Sequence, residues 1–230
     1  MRRGASVPVS HAGRFGRPSG SADTVAEMKT IEVFADVCCP FTHVGLRRLV
    51  ARRAALGRDD LVIWVRAWPL ELVNGEPLDS DAVAEEVVEL RGHIAPELFR
   101  GFDAACFPTT SLPALGLAAG AYGRGERIGE RVSLALRTAL FEEGRDIANP
   151  AQLARIAAAA DLELPGTDAN RLVLADYAEG RDRGVLGSPH FFVGDQSFFC
   201  PALEIRRIDG HLRISEDEAG FSAFVACCVG

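Results

Sequence analysis

Apolar and polar positions fall into blocks that change period along this 230-residue chain. After a polar start, Ile31-Glu32-Val33-Phe34-Ala35 is a short β-rich run that ends at Asp36, with Pro40 close behind. From Pro40 to about Ala55, the apolar Phe41, Val44 and Leu49 and the arginines sort onto separate helical faces. Pro40 suits the first helical position, where its missing N–H costs nothing. Leu61-Val62-Ile63-Trp64-Val65-Arg66-Ala67-Trp68 is the strongest strand pattern in the chain, and Pro69 stops it. Strand, helix and strand in so short a span make a βαβ unit, with parallel strands and a right-handed crossover.

The middle of the chain has helical spacing. Asp81 to Gly92 is one candidate, followed by a Pro/Gly/Phe-rich joint from Pro96 to Pro113. Glu126 to Glu143 places Ile128, Val132, Leu136, Ala139 and Leu140 on one face. Asn149-Pro150 reads as an N-cap and first-turn proline opening a helix to Ala160. Thr167-Asp168 opens another, to about Arg183. The strand period then returns. Val185-Leu186-Gly187-Ser188-Pro189 leads into His190-Phe191-Phe192-Val193, and Gly194-Asp195-Gln196 turns into Ser197-Phe198-Phe199-Cys200 as a hairpin. Ser215 and Glu218 read as a capping box before a closing helix with Phe221, Phe224, Val225 and Cys228 on one face. The order is β-α-β, a block of helices, then β-β-α. The outer pieces are expected to form one mixed sheet, with the helices inserted as a lid.

Composition narrows the function. Hydrophobic residues make up 48% and charged residues 25% of the chain, the balance of a globular protein. The net charge of −7 and the lack of a basic stripe argue against nucleic-acid binding. No apolar run approaches the ~18 residues that a membrane span needs. Residues 1–27 are rich in Gly, Ser, Pro and Arg and read as a disordered extension, with Met28 as an alternative start. Arg2-Arg3 is not followed by the apolar stretch of an export signal. The six cysteines lack zinc-knuckle spacing and suit a reduced, cytoplasmic protein with mostly buried thiols. No metal site is expected.

Specific chemistry sits at Cys39-Pro40-Phe41-Thr42. With Pro40 at the first helical position, Cys39 is the N-cap. Its sulfur is then placed to accept hydrogen bonds from the free N–H groups of Phe41 and Thr42. The helix dipole adds to this, so the expected thiol pKa is depressed and Cys39 is expected to be a nucleophile. Cys38 cannot pair with it, because adjacent Cα atoms lie about 3.8 Å apart, below the roughly 4.4 Å lower limit of disulfides.

These residues resemble the DsbA-like branch of the thioredoxin superfamily, with FrnE-type oxidoreductases nearest and 2-hydroxychromene-2-carboxylate isomerases and kappa-class glutathione transferases as relatives. The resembling blocks are Asp36 to Leu49, Trp64 to Leu70, Phe141 to Ile147, and Gly184 to Val193. The resemblance implies an α/β thioredoxin-like fold (βαβ…ββα) with a large all-helical insertion. The expected division is a thioredoxin-like domain of residues 30–72 and 184–229, with a helical domain of residues 73–183 inserted. It implies a cis-proline at Pro189, facing Cys39, with Ser188 offering backbone hydrogen bonds to substrate beside Pro40 and Phe41.

The chain departs from the family's Cys-Pro-X-Cys pair by carrying Thr42 at the second position. Thr42 can donate its hydroxyl to a Cys39 thiolate, which fits a monothiol site. Cys200 is the internal candidate for a resolving thiol, with a buried core thiol as the alternative. His43 reads as a surface or capping histidine, His190 as structural, and Trp64 and Trp68 as core. Arg47 and Arg48 read as solvated, and Arg145-Asp146 as an ion pair or helix terminus.

Three functions fit. The first is a monothiol thiol-disulfide oxidoreductase working through a mixed disulfide on Cys39. The second is a transferase or isomerase that depends on a glutathione-like thiol. The third is a non-catalytic binding protein on the same fold. The expected partners are a small thiol or disulfide or a protein disulfide, with a homodimer compatible and neither nucleic acid nor membrane involved. No tightly bound cofactor is expected, and a low-molecular-weight thiol is the expected co-substrate.

Overall fold

The computed structural model describes residues 28–166 and 168–230. The expected extension over residues 1–27 and the cap at Thr167 lie outside the described residues. Strand β1 (Lys29–Ala35) runs into helix α1 (Pro40–Ala55) and then into β2 (Leu61–Ala67). Short α2 (Leu70–Asn74) follows, then α3 (Ser80–His93), α4 (Leu112–Tyr122), α5 (Glu126–Arg137), α6 (Pro150–Ala158) and α7 (Asp168–Asp182). The chain returns through β3 (His190–Val193) and β4 (Gln196–Phe199), adds a hairpin of β5 (Leu203–Ile208) and β6 (His211–Glu216), and closes with α8 (Glu218–Val229).

The main sheet has the order β2-β1-β3-β4. β1 and β2 are parallel, as a helical crossover requires, while β3 runs antiparallel to both β1 and β4. Alternation gives the sheet two apolar faces. On one, Phe191 packs on Phe224 of α8 with ring centroids 4.8 Å apart, and Pro189 and Phe191 approach Gly45 of α1. On the other, Phe34 meets Phe192 and Trp68, and α7 closes over them. Gly180 permits that approach, since a Cβ there would lie 2.6 Å from the Trp68 ring.

β2 is an edge strand whose outward polar groups are met by the helices rather than by water. Ile63 N–H donates to Glu130 of α5, Val65 N–H to the Tyr122 hydroxyl of α4, and Ala67 N–H to Asp176 of α7. The Tyr122 hydroxyl donates in turn to the Ile63 carbonyl at 2.9 Å, and Arg53 donates to the Leu61 carbonyl. Three helices thus satisfy every second residue of a strand edge that would otherwise invite another chain.

Several local expectations change. The closing helix is capped by Asp217, which accepts from Gly220 N–H at 2.7 Å, and not by a Ser215–Glu218 box. Ser215 pairs across to Glu204 within the β5–β6 hairpin instead. That hairpin and α4 add to the expected order of elements, which has only a Pro/Gly/Phe-rich joint over Pro96 to Pro113. The helix expected to reach Glu143 widens into a π turn over Thr138–Glu142. His43 is fully buried, stacked on Phe141 and edge-on to Phe99, because the α1 face that carries it turns inward against the helical block. Arg47 and Arg48 are half-buried and paired rather than solvated. Arg47 bonds Glu142, and Arg48 bonds Glu218 and lies over the Phe221 ring. Arg145 pairs with Glu143, while Asp146 caps Ala148 N–H.

Candidate active site

The turn between β1 and α1 is held from below. Asp36 is buried, and its carboxylate accepts from Cys38 N–H, Leu70 N–H and the Ser111 hydroxyl. One short side chain therefore ties this turn to the start of α2 and to the N-terminus of α4. The guanidinium of Arg137, wholly buried, donates to the Asp36 carbonyl at 3.1 Å and to Ser133. Burial raises the Asp36 carboxyl and lowers Arg137, and each partner's charge opposes the shift of the other.

Cys39 is the N-cap of α1 with Pro40 behind it, the backbone arrangement expected. Its side chain makes no cap bond. The thiol donates instead to the Ser188 carbonyl at 3.2 Å. The Ser188–Pro189 peptide bond is cis. Thr42 and Ser188 share a hydrogen bond between hydroxyls at 2.8 Å, and Ser188 Oγ also accepts from Asp36 N–H. Cys39, Thr42 and Ser188 thus converge, with Pro189 next in the loop and its carbonyl accepting from Cys200 N–H.

The depressed pKa expected of Cys39 meets an opposing effect in its burial. Burial, at 3% exposure, pushes the thiol up, and the hydrogen bonds of Thr42 and Ser188 recover only part of the shift. The helix start favours a thiolate, but withdrawing the sulfur from water costs more. Cys38 is raised further, by burial and by the Asp36 charge, which marks it as a core thiol.

Beside Cys39 lies a cavity of about 290 Å³ with a mostly apolar wall. Cys39, Pro40 and Phe41 line it from the start of α1 and Ser188 from the loop before β3, with Phe199 and Cys200 from the end of β4 and Ile205 from β5. Helix α3 supplies Val83 and Glu86. Glu86, Phe199 and Ile205 join the site through the fold alone, since nothing near them in the sequence marks it. His190 does not join it, because its Nδ1 accepts from Leu186 N–H in a structural bond. Among the described residues there is no cluster of His, Cys, Asp or Glu that could hold a metal ion.

A helix-start cysteine set against a cis-proline loop, on a sheet with this strand order, defines a thioredoxin-fold protein. The chain belongs to the DSBA-like thioredoxin domain family, whose match covers residues 30–213. It is similar in fold to a probable DsbA oxidoreductase from Streptomyces coelicolor, at 18% identity and a TM-score of 0.60, covering 87% of this chain and 90% of that one. It is also similar to a 2-hydroxychromene-2-carboxylate isomerase, at 17% identity and a TM-score of 0.57, covering 74% of this chain and 88% of that one. No curated protein matches the sequence. The thioredoxin-like fold with its helical insertion is therefore established, as is the family.

Proposed function

We propose that the protein is a thiol-disulfide oxidoreductase with a monothiol site, in which Cys39 attacks a disulfide and holds one half of it as a mixed disulfide. The observation that carries this reading is the Cys39 sulfur between the Ser188 carbonyl and a largely apolar cavity. The cavity offers room for the part of the substrate attached to the second sulfur. A thiol pushed up by burial favours the reducing direction. Such a sulfur is a poor leaving group, so the reduced protein gives electrons rather than taking them. A reductase of this kind suits the cytoplasm, with a low-molecular-weight thiol as co-substrate and a small or peptide disulfide as partner. No helix of the described residues is long and apolar enough to cross a membrane.

The test is turnover of a small disulfide with dithiothreitol as reductant. Cys39→Ser is expected to abolish it, and full activity in that variant would contradict the proposal.

One observation favours the thiol-dependent isomerase or transferase as a second reading. The Thr42 and Ser188 hydroxyls stand together at the reacting position, where they can orient the sulfur of a bound small thiol. Calorimetry with glutathione separates the two, since only this second reading requires a stable complex. The raised thiol also weighs toward a non-catalytic binding protein. Against that stands the convergence of the thiol, the paired hydroxyls, the Ser188 carbonyl and the cavity on one point.

A further inference from the structure

The cavity at Cys39 contains a second thiol. Cys200 directly follows β4, adopts a φ of 43°, and lines the same cavity while remaining buried. Its N–H donates to the Pro189 carbonyl at 3.0 Å, while the Cys39 thiol donates to the Ser188 carbonyl at 3.2 Å. The two cysteines are thus tied to consecutive carbonyls of one loop. Both thiols are free in this structure. Glu86 of α3 lines the cavity too. Burial pushes its carboxyl up to about 7, with Glu85 reinforcing the shift and Arg207 of β5 opposing it.

We infer that Cys200 is the resolving thiol of Cys39, with Glu86 as the group that receives its proton. The inference rests on Cys39 being the attacking thiol. In the first step the Cys39 sulfur bonds one sulfur of the substrate disulfide, and the other leaves with the Cys39 proton as a free thiol. In the second, Cys200 gives its proton to the Glu86 carboxylate and its sulfur bonds to Cys39. The bond from Cys39 to the substrate breaks, and the departing thiolate recovers the proton from Glu86. Two electrons pass to the substrate, two thiols leave, and a Cys39–Cys200 disulfide remains. An external dithiol or small thiol returns it to the reduced form.

The placement compensates for Thr42. A second cysteine in the helix turn is absent, and a strand-end cysteine across the cis-proline loop takes its part. Burial pushes Cys200 up to about 12, which protects it from outside disulfides. It reacts only with a mixed disulfide held beside it, where proximity replaces intrinsic reactivity.

The experiment uses the reduced full chain with Cys106→Ser and Cys227→Ser, which removes the two partly exposed thiols. One equivalent of dithiodipyridine is added and released pyridinethione is followed by absorbance. The expected result is two releases per chain and a peptide linking Cys39 to Cys200. Adding Cys200→Ser, or separately Cys200→Ala, is expected to stop at one release with the pyridyl adduct kept on Cys39. Glu86→Gln is expected to slow the second release by about a hundredfold, the size of a general-base effect. A lasting adduct on Cys39 in the parent chain, with no linked peptide, overturns the role of Cys200 and leaves Cys39 as the attacking thiol. No adduct on Cys39 in any variant overturns both.

Discussion

At Cys39 two effects of similar kind oppose each other. The start of α1 and the hydroxyl of Thr42 favour negative charge on the sulfur, and burial beneath the Ser188 loop disfavours it. Burial is the stronger, so the sulfur at rest is a neutral hydrogen-bond donor. Thr42 sets how much of the penalty is recovered. Thr42→Val keeps the shape and removes the hydroxyl that meets Ser188 at 2.8 Å. It is expected to slow alkylation of Cys39 severalfold at a fixed pH and to cost about 1 kcal/mol of stability in urea unfolding, the usual worth of such a bond. Faster alkylation would show that Thr42 holds the thiol protonated instead. This balance was half legible in the sequence. The cap position of Cys39 follows from Pro40, but its burial depends on residues about 150 positions away, at Ser188.

The element most dependent on distant residues is β2. Its sequence is so strongly β-forming that the strand was readable by itself, but its place at the sheet edge was not. The groups that satisfy it come from α4, α5 and α7. Tyr122 is the most informative of them, accepting from Val65 N–H and donating to the Ile63 carbonyl. Tyr122→Phe leaves both groups buried without a partner and is expected to cost about 1–3 kcal/mol, measured by denaturant midpoint. An unchanged midpoint would mean that water reaches that edge.

Helix α4 shows why some elements escape a reading by periodicity. Leu112–Tyr122 is apolar nearly all round, because it packs on β2, α5 and α7, so no polar stripe marks its helical period. The β5–β6 hairpin carried a readable signal. Asp209 and Gly210, both at positive φ, form the two-residue turn between strands of β-branched and charged residues.

On the scale of the whole molecule, the helical block and the sheet meet around buried polar groups, and these link folding to pH. His43 lies fully buried between Phe99 and Phe141, with its Nε2 3.4 Å from Glu142. Burial lowers its pKa, although Glu142 pulls the other way while Arg137 and Arg47 add to the lowering. The unfolded chain, with histidine near its ordinary value of about 6.5, therefore binds a proton more readily than the native state as pH falls. The stability due to neutral His43 is present above that value and is lost below it. The melting temperature is expected to fall from pH 7.5 to pH 5.5, with a smaller fall in His43→Phe. Equal falls would place the titration elsewhere.

The βαβ unit, the mixed sheet and the closing helix could all be read from local pattern. The edge contacts, the buried His43 and the cavity could not, since each is made by side chains whose partners are far apart in sequence.

The chemistry proposed for Cys39 is tested most directly by the pH dependence of its alkylation by iodoacetamide in the native protein, with Cys39→Ser as the blank. Cys39 is expected to react, with a rate that still climbs with pH above the roughly 8.5 of a free thiol. A rate that levels off below pH 7 would restore the helix-stabilised thiolate and contradict the reducing direction. No reaction at any pH at which the protein stays folded would make Cys39 a core thiol and remove the proposed chemistry.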